Sequence, residues 1–199
     1  MSDELLVTHC APTLAGLKTG SLFPCDCGEE QELIRRIAEL NRRLAGKGLR
    51  ILPLRLGGGK ALIYVYRPGR LAEDLSRSDA AELLRQRGYG DGCPEQKIAT
   101  LIRRLRQNGE FPHEIGLFLG YPTEDVAGFI RHRAEGCKCV GCWKVYGDEA
   151  RAKREFAKYR KCTCVYRDRI RQGSSLERLT VSLPNMVSRP VTSAHTDRP

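Results

Sequence analysis

The chain has no apolar run approaching the roughly 20 residues needed to cross a bilayer, so no transmembrane segment is expected. Its opening, MSDELLVTHC, lacks a basic n-region and a long apolar stretch, which argues against a secretory signal. The expected compartment is therefore a reducing cytoplasm, where thiols are more often free, metal-bound or reactive than disulfide-bonded. No internal repeat is visible. Gly57-Gly58-Gly59-Lys60 is not a phosphate loop. No Ser or Thr follows the lysine, no glycine sits at the required upstream spacing, and a strand follows where a helix is needed. No helix-turn-helix, zinc-finger or RNA-binding signature is present. Only Cys139-Val-Gly-Cys142 has the CxxC form, without the second pair that would make a zinc ribbon.

What is present is cysteine and positive charge. The 199 residues include nine cysteines and carry a formal net charge of +10. The length suggests one domain, 1–181, followed by a polar, proline-punctuated tail, 182–199, expected to be disordered. The charge favours anionic partners: an anionic ligand, nucleic acid or another polyanion. Half of the excess lies in one stretch, Asp148 to Gly173, with nine basic and four acidic residues. A solvated helix face is the plainest explanation of such a run.

Periodicity gives an α+β protein, a small antiparallel sheet covered by about six helices. The runs 49–56 and 60–67 flank the glycines as a β-hairpin, and Pro53 should hold the first strand at an edge or a bulge. A third strand is expected at 139–146, and residues 5–29, punctuated by Pro12, Gly16, Gly20 and Pro24, read as a strand or loop, a short helical turn and another loop. Helices are expected over about 29–45, 70–88 (one or two), from Pro94, and in two short pieces after Phe111. Ser78 and Thr123 are expected as caps, and a last short element is expected at 176–181. The clearest helix runs from about Glu149 to Arg171, capped by Asp148, with Phe156, Tyr159, Thr163, Tyr166 and Ile170 inward. Arg151, Arg154, Lys158 and Lys161 form an outward basic stripe on it, and Arg103, Arg104 and Arg106 add charge elsewhere.

Several stretches resemble a bacterial family of uncharacterised proteins, mostly from anaerobes, known only as a domain of unknown function. They are His9-Cys-Ala-Pro-Thr-Leu-Ala-Gly-Leu-Lys18 with Leu22-Phe23, Phe111-Pro-His-Glu-Ile-Gly-Leu-Phe-Leu-Gly-Tyr-Pro122, Glu124-Asp-Val-Ala-Gly-Phe129, Trp143-Lys-Val-Tyr-Gly-Asp148 and Tyr159-Arg-Lys-Cys162. The resemblance covers about residues 5–181 and implies no activity. It implies that His9, Cys10, Cys25, His113, Cys139 and Cys162 belong to the family pattern. Cys27, Cys93, Cys137, Cys142 and Cys164 look like additions in this chain.

Three functional readings follow. Cys10, Cys25, Cys139 and Cys162 are candidate ligands for zinc or an iron–sulfur cluster, or a redox group, if folding gathers them. Incidental buried thiols are the simpler alternative. Cys162 and Cys164, two apart on a helix, point about 200° apart and cannot share an ion. Cys10 is a candidate nucleophile with His113 as its base, since His9, adjacent on a strand, would face the opposite way. Arg151, Arg154, Lys158 and Lys161 are a candidate anion-binding stripe for phosphates or nucleic acid. Glu124-Asp125 reads as first-turn helix charge, and Trp143 and Tyr146 read as core.

Overall fold

Leu6, Val7, Cys10, Ala11 and Leu14 recur at helical spacing, and in the computed structural model they form the buried face of a helix, α1 (Asp3–Leu14). The structure describes residues 1–107, 110–133 and 135–183, so the expected tail from 184 onward lies outside the described residues. Ser2 caps α1 by accepting from the Leu5 N–H at 3.2 Å. The expectation of a strand or loop with only a short helical turn is corrected: small and sulfur-bearing residues on the buried face, and Pro12 in the last turn, hide an ordinary helical period. The Pro12 carbonyl then accepts from the N–H groups of Leu17 at 2.8 Å and Lys18 at 3.1 Å, which turns the chain into the next element.

The sheet is antiparallel and built on the expected hairpin, but its third strand is not 139–146. Strand β1 (Gly20–Asp26) pairs with β3 (Lys60–Tyr66), and β2 (Arg50–Gly57) pairs with the other edge of β3. Both outer strands carry a proline, Pro24 and Pro53, at edges where a missing N–H leaves no ladder bond broken. At Pro53 the register also slips before Arg55, so the expected edge and bulge are both found. Gly58 and Gly59 turn the hairpin with φ of 61° and 72°, a left-handed pair that L side chains resist.

Alternation along β3 sets the layers. Ala61, Ile63 and Val65 point into one core with α1, α2 (Glu30–Leu44) and α9 (Leu176–Leu179). Tyr64 and Tyr66 point into the other, under α3 (Pro68–Ser76), α4 (Ser78–Gln86), α5 (Pro94–Arg106), α6 (Ile115–Phe118) and α7 (Thr123–His132). The long helix α8 (Glu149–Arg171) lies along α1. The described residues thus hold nine helices, against about six expected. Ser78 and Thr123 fall at the first helical position and make no side-chain cap.

The stretch 139–146 folds back on itself instead of joining the sheet. Two-residue strands β4 (Cys139–Val140) and β5 (Lys144–Val145) pair across a turn at Gly141. A Cβ at Gly141 would come within 2.2 Å of the Phe156 ring, so a glycine lets this hairpin press against α8. Val145, Ala152 and Phe156, with Cys139 and Trp143 against them, form a third small core that fixes it there.

Candidate functional site

Two adjoining cavities of about 260 and 270 Å³ lie between α3, α4, the α6–α7 turn, the α1–β1 loop and the first turns of α8. They share Asp74, Gly120, Pro122, Glu124 and Arg151 and so make one cleft. Each is small beside ligand pockets of about 300–1,000 Å³, and joined they fall within that range.

The walls are fixed by specific contacts. The Thr19 hydroxyl donates to Asp74, tying the α1–β1 loop to α3. Gly120 closes over that pair with φ of 75°, and a Cβ there would meet Thr19 Oγ1 at 2.6 Å. Trp143 stacks on Tyr121 at 4.8 Å and meets Phe156 edge-on at 4.5 Å. Its indole N–H donates to Asp125 Oδ2 at 2.7 Å, and the Tyr121 hydroxyl donates to the Cys142 carbonyl at 3.1 Å. Lys18 Nζ lies over the Tyr121 ring, 5.0 Å from its centroid.

Counted formally, the cleft is acidic, but most of its carboxylates are engaged. Asp74 accepts from Thr19, Asp79 pairs with Arg77 at 3.3 Å, Glu155 with Lys158 at 2.8 Å, and Asp148 caps α8 through the Arg151 N–H at 2.9 Å. Among the described residues neither Lys18 nor Arg151 has a carboxylate within ion-pairing distance. Lys18 and Arg151 therefore stand on the wall as cations without an ion pair, beside the carboxylates Glu73 and Glu124. Lys18 is half-buried, and enclosure of its ammonium pulls its pKa down to about 8, against a small opposing pull from Cys142. Burial pushes the neighbouring Tyr159 up to about 12.

The sequence-based candidates fare differently. Cys10 is fully buried in α1, and desolvation pushes its thiol up to about 12, so it stays protonated at neutral pH. The groups acting on it are Lys18 and Ser21, while His113 lines a separate apolar cavity of about 190 Å³ with Phe129 and Trp143. The His113 ring meets Phe129 edge-on at 4.8 Å, and its Nε2 lies 3.0 Å from Arg133 Nη1. Desolvation holds the imidazole below its usual pKa. The proposed Cys10–His113 couple is thus not assembled. Cys25 is buried on β1, whereas Cys139 and Cys162 are half-buried on β4 and α8. Among the described residues no group of three or more His, Cys, Asp or Glu is placed to hold a metal ion. Of the basic stripe, Arg151, Arg154, Lys158 and Lys161 are all exposed, but only Arg151 lines the cleft, and Lys158 is paired. Arg104 serves structure, pairing with buried Glu114 at 3.0 Å.

This burial pattern sets an order of thiol reactivity. A native-state Ellman titration followed by peptide mapping is expected to modify exposed Cys93, Cys142 and Cys164 first and to leave Cys10 intact until unfolding. Modification of Cys10 at the rate of Cys164 would contradict the placement of α1.

Fold and cleft together define a three-layered α+β protein with a mixed-charge, aromatic-walled cleft. The chain belongs to the family described as protein of unknown function (DUF3793), whose model matches residues 6–180. Comparison with curated proteins finds no match, nor does comparison with solved structures. No helix among the described residues is long and apolar enough to cross a membrane. The stretches that carry the resemblance meet at the cleft: Lys18, Gly120-Tyr121-Pro122, Glu124, Trp143, Asp148 and Tyr159 come from all five. That convergence was available in the sequence only as motifs of unknown relation. Lys18 and Tyr121 sat within them without being singled out, and Asp74 lies outside them.

Proposed function

We propose that the protein binds a small organic acid in this cleft, its carboxylate held by Arg151 and Lys18. The observation that carries the reading is the pair of cations without carboxylate partners on a wall built from distant segments. An exposed surface cation gains little by pairing in open water, whereas one beside a walled cleft makes a stronger bond to a bound anion. Glu73, also on the wall, leaves an acceptor for a hydroxyl or amino group of the ligand. The thiol-based metal and redox reading has less support: Cys10 and Cys25 share one core, but Cys139 packs in the small third core and Cys162 lies on α8, and no three possible ligands converge among the described residues. The exposed stripe on α8 suits a polyanion less well, since Lys158 is engaged by Glu155 of its own helix and Arg151 lines the cleft.

Trp143 is the chain's sole tryptophan and lines the cleft, so its emission reports occupancy. Titration with a panel of small hydroxy, amino and keto acids is expected to give a saturable change for at least one member. Loss of one charge-assisted hydrogen bond, about 1.5–3 kcal/mol, predicts roughly 10- to 100-fold weaker binding in Arg151→Ala. Arg154→Ala, outside the cleft, is expected to leave affinity unchanged. Equal affinity in Arg151→Ala and the parent protein would refute the assignment.

A further inference from the structure

Lys18 has a combination of features that holding an anion does not require. It reaches the cleft from a loop braced by the Pro12 carbonyl, lies over an aromatic ring, and meets no carboxylate among the described residues. A lysine serving only as a positive charge is best left hydrated or paired, because taking an ammonium out of water is costly. An enclosed, unpaired lysine is the arrangement that frees the amine lone pair.

We propose that Lys18 is a nucleophile that condenses with the carbonyl of a small α-keto acid whose carboxylate rests on Arg151. The inference rests on the small-acid reading and narrows its ligand to a carbonyl compound. In the step, the lone pair of Lys18 Nζ forms a C–N bond to the carbonyl carbon. The carbonyl oxygen leaves as water, carrying both amine hydrogens, and one proton from solvent leaves the new C=N bond as an iminium. No oxidant or reductant is needed. The iminium is again a cation beside the Tyr121 ring, whose face favours it.

The surroundings decide how much free amine is present. Desolvation is the largest effect and pulls the pKa to about 8; Cys142 of the β4–β5 turn favours the charged form where it is a thiolate, while Cys10 of α1 stays a neutral thiol at this pH. The other charged groups on the cleft wall are Arg70, Glu73 and Asp74 of α3, the Arg77–Asp79 pair at the α3–α4 junction, Glu124 of α7, and Asp148, Arg151 and Glu155 at the start of α8. At neutral pH roughly a tenth of Lys18 is then free amine, against a few ten-thousandths for a lysine at about 10.4.

The test incubates the full chain with pyruvate and sodium cyanoborohydride, which reduces an iminium to a stable secondary amine, and maps the label by peptide mass spectrometry. Expected is at least ~10-fold more label on Lys18 than on any other lysine near neutral pH. The α-amine is left out of the comparison because its ordinary pKa of about 7.7–8.0 makes it reactive too. Lys18 labelling should rise with pH and level off above about 8, while other lysines keep gaining past about pH 10. The map is read on the unaltered chain, so it does not depend on a variant folding, and Lys18→Arg should lose that one label. Pyruvate that shifts Trp143 emission without labelling Lys18 overturns the amine chemistry and leaves the small-acid reading standing. Label spread evenly over the lysines also overturns it. If no member of the acid panel shifts Trp143 and Lys18 stays unlabelled, both readings fall.

Discussion

Replacing Arg67 by methionine is expected to lower stability by about 3–5 kcal/mol, and by lysine about 2–4 kcal/mol. Arg67 follows directly on β3, and its side chain is only 1% exposed. Its guanidinium has no carboxylate partner among the described residues and instead gathers carbonyls. Nε donates to Thr13 O at 2.8 Å, Nη2 to Leu14 O at 2.5 Å and Nη1 to Lys47 O at 2.8 Å. Thr13 and Leu14 end α1, where carbonyls have no intrahelical donor and the helix dipole is negative. One planar fork thus caps α1 and ties it to the turn before β2. Burial pulls its pKa down to about 10, far enough above neutral that the fork stays charged. Methionine fills much of the volume but removes all three charge-assisted donors: Thr13 O and Leu14 O keep the N–H groups of Gly16 at 3.1 Å and Val181 at 3.0 Å, and Lys47 O loses its guanidinium partner. Lysine keeps the charge but offers one nitrogen where the sites need a planar spread of three. Guanidinium denaturation of the three proteins measures the loss, and a lysine variant within about 1 kcal/mol of the parent would refute this account.

The part of the fold legible in the sequence is the part whose elements carry their own signals. Helix α8 begins and ends where its cap and stripe place it, because Asp148 does accept from the Arg151 N–H and Phe156 and Tyr159 are buried. The β2–β3 hairpin was legible from Gly58-Gly59. Strand β1 was not, because Pro24, Cys25 and the Cys27 that follows the strand look like loop punctuation unless one knows the strand lies at an edge. Nor was the break in 139–146, which depends on how closely Phe156 approaches Gly141. The cleft was least legible. Lys18, Asp74 and Arg151 become neighbours only through the packing of α1, α3 and α8, and no local period encodes that. Sulfur drew attention for its chemistry, but Cys10 faces the sheet while Cys139 sits on a hairpin outside it.

Asp125 shows how a residue read as first-turn helix charge acquires a second task. It does lie in the first turn of α7, yet it is only 3% exposed, and both oxygens are taken. Oδ1 accepts from the N–H groups of Tyr146 at 2.7 Å and Gly147 at 2.8 Å, and Oδ2 accepts from Trp143 Nε1 at 2.7 Å. The carboxylate therefore holds the β4–β5 hairpin and sets the indole that walls the cleft. Asp125→Ala leaves three inward donors unmet, with an expected cost of about 3–4 kcal/mol. Asp125→Asn can keep both backbone donors on its remaining oxygen, but its NH₂ then faces the indole N–H, donor against donor. A cost of about 1–3 kcal/mol is expected, smaller when Trp143 is phenylalanine, because the opposed donor is gone. A double-mutant cycle of Asp125→Asn with Trp143→Phe is expected to show coupling above about 0.5 kcal/mol. In Asp125→Ala, Trp143 emission should shift to the red at denaturant concentrations where the helical signal is still intact, since the hairpin loses its anchor before the sheet loses its own. Coincident transitions with unchanged emission would show that Phe156 packing alone holds the hairpin in place.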